Sequence, residues 1–302
     1  MVDDRLSGRG LVTLTGGEPF LHPDFRRLAE KVVGSAQLDL AILTNGSCVD
    51  ARTARWLSDL RPAYVQVSLE GPQRLNDRIR APGAFGTAVR AMRHLVEAGV
   101  RTCVSFTASR ANYLSFPQVA RITRRLGVAR VWSDRLVPVG GAHDLRSLTL
   151  TPRSTRKLLR LMHAERARSA RSGTEVAMFR ALQFLEVGGA PYRCSAGDTL
   201  LALLPNGDLL PCRRMPIVVG NVYRSSMLGL YERAPLLRRL RNTIVARGCE
   251  QCSYASRCRG GLRCLSNAVH GDPFIADPGC WIAARNVRRV EREQSVSGSG
   301  RR

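Results

Sequence analysis

The sequence predicts an α/β chain: a parallel sheet built from five strand–helix repeats, followed by a small cysteine-rich domain. Two observations predict it. Over the first 140 residues short apolar runs alternate with amphipathic stretches, and repeats of that length return the chain to a parallel neighbour through right-handed crossovers. Beyond Arg193 the pattern changes, because seven of the nine cysteines fall there among glycines and short apolar runs.

Residues 11–15 form an apolar strand, closed by a Gly-Gly turn and followed by a helix over 23–33. Residues 38–43 are the second strand, and Asp50 caps a helix carrying Trp56, Leu57 and Leu60. Residues 64–69 alternate as a strand, and 86–98 place Val89, Met92, Leu95 and Val96 on the apolar side of a helix. A strand over 101–107, a helix over 116–126 and a fifth strand over 129–137 complete the repeats. Two helices are expected between 151 and 187, with a polar break at 169–173. Residues 200–204 and 209–210 flank Asn206-Gly207 and read as a hairpin. The expected domains are a core over 1–140, a helical connector over 141–190, a cysteine-rich domain over 191–285 and a disordered tail over 286–302.

At 302 residues, 44% hydrophobic and 24% charged, the chain has an ordinary globular composition. No apolar run approaches the ~18 residues of a membrane helix, and residues 1–10 show no export signal, so a cytoplasmic setting without a membrane partner is expected. The net charge of +23 raises nucleic acid as a partner. Only Lys31 and Lys157 are lysines, however, and the arginines run along the whole length. Their clusters at 121–125, 166–171 and 233–241 read as solvated helix faces rather than a phosphate track.

In parallel α/β folds the chemistry lies at the carboxyl ends of the strands. Those ends read Thr15-Gly16-Gly17-Glu18-Pro19, Thr44-Asn45-Gly46, Ser68-Leu69-Glu70-Gly71, Thr107 and Arg135. Small, polar and glycine residues at most of them suit a ligand lying across the sheet. The cysteines carry a second signal: Cys249-x2-Cys252-x5-Cys258 with Cys280 downstream, and Cys194 and Cys212 bracketing the hairpin. Without an export signal such clustering points to metal binding rather than disulfides. Four thiolates suit tetrahedral zinc or a four-iron cluster, and spacing leaves both open. Cys48 and Cys103 read as core residues, and none of His22, His94, His143, His163 and His270 falls on the cysteine spacing.

Gly16-Gly17-Glu18-Pro19 after an apolar strand resembles the GGEP motif of radical S-adenosylmethionine (SAM) enzymes. The late cysteines resemble the SPASM domain appended to many of them, through Cys194, the Gly207-to-Cys212 spacing, Cys249, Cys252, Cys258 and Cys280. Gly220-Asn221 and Cys258-Arg259-Gly260-Gly261 look like the family too, and the resemblance spans about residues 11–281. It implies a partial (β/α) radical SAM barrel with its first unit missing, followed by a SPASM domain. Two departures stand out. The family's x3 cysteine would fall at Leu262, with Cys264 two residues later, and the Cys-x3-Cys-x2-Cys signature is absent upstream of the GGEP strand. The chain is therefore expected to be a fragment or a mis-started chain.

The resemblance implies that one auxiliary [4Fe-4S] cluster takes Cys249, Cys252, Cys258 and Cys280, and that the other takes Cys194, Cys212 and Cys264. The SAM-cleaving cluster lies outside this sequence. With that cluster restored, SAM would yield a 5′-deoxyadenosyl radical that abstracts hydrogen from the substrate. Gly16 and Gly17 would approach the methionine amino group, and Glu18 and Pro19 would fix that turn. Asn45 and Ser68 would contact ribose or carboxylate, and Arg80 would pair with the carboxylate. The implied substrate is a precursor peptide or cofactor precursor, and the implied electron donor a flavodoxin or ferredoxin. Two other readings stay open: a catalytically degenerate SPASM protein that binds clusters and a peptide partner, and a basic zinc protein that binds nucleic acid.

Overall fold

The computed structural model describes residues 10–283. The chain divides into two compact units, Met1–Asp134 with Arg160–Met178, and Arg135–Leu159 with Phe179–Arg302. The expected tail over 286–302 lies outside the described residues.

In the first unit β1 (Gly10–Leu14) leads to α1 (Phe25–Val33), β2 (Leu38–Thr44), α2 (Ala51–Leu60) and β3 (Tyr64–Ser68). Then come α3 (Gln73–Ile79), α4 (Ala84–Glu97), β4 (Thr102–Ala108), α5 (Phe116–Arg125) and β5 (Arg130–Arg135). Helix α6 (Pro152–Ser169) precedes β6 (Glu175–Val176). The six strands form one sheet in chain order, with parallel pairing of β1–β2, β2–β3, β3–β4 and β5–β6. This is the α/β fold expected, with two differences. A sixth strand occupies residues for which a second helix is predicted, and α3 is an additional helix. Two residues of strand carry no periodicity to detect, so β6 is specified by its surroundings: Arg130 donates to Glu175 at 2.7 Å, and Thr174 Oγ1 donates to the Val128 carbonyl at 2.8 Å.

Successive residues of the central strands are buried, so both faces lie in the interior. Ala41, Ile42, Val65, Val67, Val104 and Phe106 are fully buried. Phe106 meets Phe116 edge-on at 5.7 Å, and Tyr64 meets Trp132 at 5.9 Å and 89°. Asp50 caps α2 as expected, accepting from the Thr53 backbone N–H at 2.7 Å. Cys103 lies in this core, where burial pushes its thiol up to about 12.

In the second unit α7 (Phe184–Val187) precedes β7 (Ala202–Leu203), β8 (Asp208–Leu210) and β9 (Gly220–Asn221). The three strands form an antiparallel sheet. The predicted hairpin is present, and Gly207 takes φ +84° at its turn. Asn221 braces that turn, its Nδ2 donating to the Asn206 carbonyl at 2.9 Å and to Asp208 Oδ1 at 3.0 Å. Helices α8 (Met227–Arg233), α9 (Pro235–Asn242), α10 (Ala255–Cys258) and α11 (Arg263–His270) complete the unit. No described helix is long and apolar enough to cross a membrane.

Candidate functional site

The glycine-rich turn after β1 is tied to the end of β2 by one carboxylate. Glu18 accepts from Thr44 Oγ1 at 2.8 and 2.9 Å and from the Asn45 backbone N–H at 2.8 Å. Pro19, buried, opens a short 3-10 turn behind it. Gly16 and Gly17 are exposed, and a Cβ on either would meet nothing within 4 Å. The chain thus presents bare backbone to open space beside a turn held from below. Asn45 spends its Oδ1 on the Ser47 backbone N–H at 2.8 Å, and Ser68 closes β3 half-exposed.

Beside Ser68 lies a network of Glu70, Arg80, Thr107 and Asn112, of which Asn112 alone carried no signal in the sequence. Glu70, 4% exposed, accepts from Arg80 Nη2 and from the Thr107 backbone N–H, both at 2.6 Å. Asn112 Nδ2 donates to the carbonyls of Glu70 and Thr107, each at 3.0 Å. One carboxylate and one amide thereby join the ends of β3 and β4. Arg80 is engaged with Glu70 in this structure, so its guanidinium is held at the strand ends by a partner of its own. Burial raises the Glu70 carboxyl above its ordinary value, with Arg80 opposing.

In the second unit Cys249, Cys252, Cys258 and Cys280 line one cavity, together with Gly260 and Asp277. Local turns place them: Cys252 N–H donates to the Cys249 carbonyl at 2.9 Å, and Cys258 N–H to the Tyr254 carbonyl at 2.8 Å. Arg259, Gly260 and Gly261 then take φ +53°, +85° and +79°. A Cβ on Gly260 would lie 2.4 Å from Ala246 Cβ, and one on Gly261 2.6 Å from Asp277 Cβ, so this turn demands its glycines. The Gly261 N–H donates to the Cys258 carbonyl at 3.3 Å, the Gly260 and Gly261 backbone favours the Cys258 thiolate, and the Ala283 N–H donates to Cys280 Sγ at 3.5 Å. Such concavities of backbone N–H groups accommodate anionic iron–sulfur groups.

Burial pushes the Cys249 thiol up to about 12, reinforced by Cys280, Cys258 and Cys252. Burial, then Asp277, pushes Cys258 up to about 11. Among the described residues the cysteines form no disulfide. Among the described residues no three His, Cys, Asp or Glu side chains converge closely enough to share a single ion. Four thiols around one cavity supply the donor set of a four-iron cluster or of tetrahedral zinc.

Cys194 and Cys212 come within electrostatic reach of each other. Burial raises the Cys194 thiol, opposed by the backbone N–H groups of Ala196 and Arg263, and the Arg214 N–H donates to Cys212 Sγ at 3.4 Å. Cys264 is buried at the start of α11 and within electrostatic reach of Arg135, as is Cys280. Arg135 makes a buried, forked pair with Asp277 at 2.7 and 2.5 Å. Asp277 also accepts from the backbone N–H groups of Leu262 and Gly279, at 2.8 Å each. The role of Asp277 carries no signal in the sequence, because it is set by partners between 2 and 142 positions away.

A radical SAM superfamily model matches residues 4–108, and a model of the SPASM iron-sulfur cluster-binding domain matches residues 194–259. The Fe-coproporphyrin III synthase of Methanosarcina barkeri is 22% identical, over 96% of this chain and 80% of its own. The mycofactocin maturase MftC of Mycobacterium ulcerans is 29% identical, over 83% of this chain and 69% of its own. Among solved structures, anSMEcpe with bound AdoMet superposes with a TM-score of 0.72 at 16% identity, covering 97% of this chain and 82% of that one. Streptococcus suis SuiB bound to its precursor peptide SuiA gives 0.66 at 16% identity, covering 88% and 64%. These likenesses show the fold, a radical SAM partial barrel followed by a SPASM domain. With the glycine-rich turn in the first unit and the grouped thiols in the second, the chain carries a radical SAM domain over residues 4–108 and a SPASM iron-sulfur cluster-binding domain over residues 194–259.

Proposed function

We propose that this chain works as a radical SAM maturase of the SPASM type, modifying a ribosomally made peptide or a cofactor precursor. One observation carries the reading: a braced Gly16-Gly17-Glu18-Pro19 turn and a cavity lined by four thiols occur in a single chain. MftC and peptide-bound SuiB support a peptide substrate, and the synthase of M. barkeri supports a cofactor precursor.

In this reading the Gly16 and Gly17 backbone receives the methionine end of SAM, while Glu18 and Pro19 hold the turn in place. Asn45 and Ser68 meet ribose or carboxylate, and Arg80 lends its charge to the carboxylate from its seat on Glu70. Cys249, Cys252, Cys258 and Cys280 hold one auxiliary [4Fe-4S] cluster, and Cys194, Cys212 and Cys264 hold the other. When bound, SAM and a reduced cluster supply the 5′-deoxyadenosyl radical. The electron donor is a flavodoxin or ferredoxin, and the setting is cytoplasmic, where thiols stay reduced.

The test is release of 5′-deoxyadenosine from SAM by the anaerobically prepared protein, as its native cell makes it, in the presence of dithionite. The grouped thiols of the second unit also support a second reading, a SPASM protein that binds clusters and a peptide without cleaving SAM. Iron and sulfide without 5′-deoxyadenosine would establish the second reading. Zinc without sulfide would overturn both and leave the basic zinc protein that binds nucleic acid.

A further inference from the structure

The two sets of thiols differ in their charged surroundings. Around the cavity of Cys249, Cys252, Cys258 and Cys280 the carboxylates of Asp277 and Glu250 are within reach of the sulfurs, and Arg135, within reach of Cys280, balances Asp277 alone. Around Cys194 and Cys212 the nearby charges are cationic, from Arg214 and Arg263. Arg263 stands out within this set. It is 3% exposed, its backbone N–H is directed at the Cys194 sulfur, and its guanidinium is within reach of the same sulfur. Nη2 donates to the Thr243 carbonyl at 2.9 Å, and the guanidinium lies over the Phe274 ring at 5.0 Å. Nη1 is buried without a hydrogen-bond partner among the described residues. Arg259, Arg239 and Arg193 crowd it with like charge.

A buried cation with an unmade hydrogen bond, surrounded by other cations, is costly unless an anion stands beside it. The Cys194 sulfur is the neighbouring group able to become one, and a thiolate-ligated iron–sulfur cluster carries the negative charge this site lacks. A cluster that accepts an electron gains one more negative charge. A fixed cation beside its sulfurs therefore stabilises the reduced form and raises the potential, whereas a carboxylate lowers it.

We propose that Arg263 is the cationic partner of the centre held by Cys194 and Cys212, a positioning residue whose charge places that centre's reduction potential above that of the Cys249–Cys280 centre. An electron delivered to the SPASM domain then comes to rest at the Cys194 centre. The proposal rests on the reading that both sets of thiols hold iron–sulfur clusters.

The experiment is an anaerobic potentiometric titration of the full chain, reconstituted with ferrous iron and sulfide and followed by electron paramagnetic resonance. The Cys194 centre is identified by its loss in Cys212→Ala. Arg263→Gln is expected to lower that centre's midpoint by a tenfold change in its reduced-to-oxidised ratio, about 59 mV for one electron. Arg263→Lys, which keeps the charge, should restore most of the shift, and the other centre should not move in either variant. An unchanged midpoint in Arg263→Gln, or equal displacement of both centres, overturns the assignment alone. Wild-type protein that binds no cluster on Cys194 and Cys212 overturns the functional reading and this assignment together. Where Arg263→Gln does not assemble, the Lys variant decides, because a midpoint displaced by as much as loss of the Cys194 centre's charge partner would cause rules out a role for the charge.

Discussion

At the scale of single residues, two carboxylates organise the strand ends, and they differ in what they do there. Glu18 is half-exposed and makes its bonds to Thr44 and Asn45 as a brace for the turn that follows β1. Glu18→Gln keeps the shape and removes the charge that strengthens those bonds. It is expected to lower the unfolding free energy by about 1 kcal/mol, well below the full worth of a charge-assisted bond because solvent shares the site. Urea titration at neutral pH checks this, and an unchanged midpoint would show that the brace is idle. Glu70 is buried and raised by that burial. A carboxyl whose folded value lies above its unfolded 4.5 contributes stability that is full below pH 4.5 and is lost as pH rises through the folded value. Stability of the wild type relative to Glu70→Gln should therefore fall between mildly acid and higher pH, and a difference that rises with pH would sink the reading. Glu18 was legible in the sequence because the Gly-Gly-Glu-Pro string is local. The function of Glu70 was not, because Thr107 and Asn112 reach it across 37 and 42 positions.

At the scale of elements, what could be read was what depends on a short window. β2, β3, β4 and β5 were predicted to within two residues at each end, since their apolar runs are closed by turn formers. The hairpin was legible for the same reason, through Asn206-Gly207. Strands of two residues, such as β6 and β9, carry no period, and the residues of α3 are mostly polar, so neither kind announces itself. The hairpin also yields a test. Gly207 holds φ +84°, and an added Cβ would meet Tyr223 Cδ2 at 2.5 Å. Tyr223 is 77% exposed and held by one long hydrogen bond to the Pro205 carbonyl, at 3.4 Å, so the lasting cost is the left-handed backbone. Gly207→Ala should cost about 1 kcal/mol, and Gly207→Asn distinctly less, since Asn tolerates that region. Equal losses in thermal melts would place the cost in the clash with Tyr223 instead.

At the scale of the whole molecule, the two units are stabilised by different means, and the difference can be measured. The first has a conventional core, with Ala41, Ile42, Val65, Val67, Val104 and Phe106 wholly buried in adjoining strands. The second has a three-stranded sheet of very short strands and several helices of four to eight residues. Four of its thiols face one cavity, with burial holding Cys249 and Cys258 protonated in the absence of metal. Elements that short are marginal alone, so metal–thiolate bonds would supply a large part of this unit's stability, with proton release as they form. Hydrogen exchange on loaded and iron-depleted protein checks this. Removal of iron should cost the amides between Cys249 and Cys280 and those of β7, β8 and β9 at least tenfold in protection, while β2, β3 and β4 change little. Equal loss in both units would mean that the first depends on the metal as well, and no loss in either would mean that the short elements stand without it. The same experiment on Cys249→Ala separates the centres, since protection should then fall around α10 and α11 first and persist longer at the hairpin that carries Cys212.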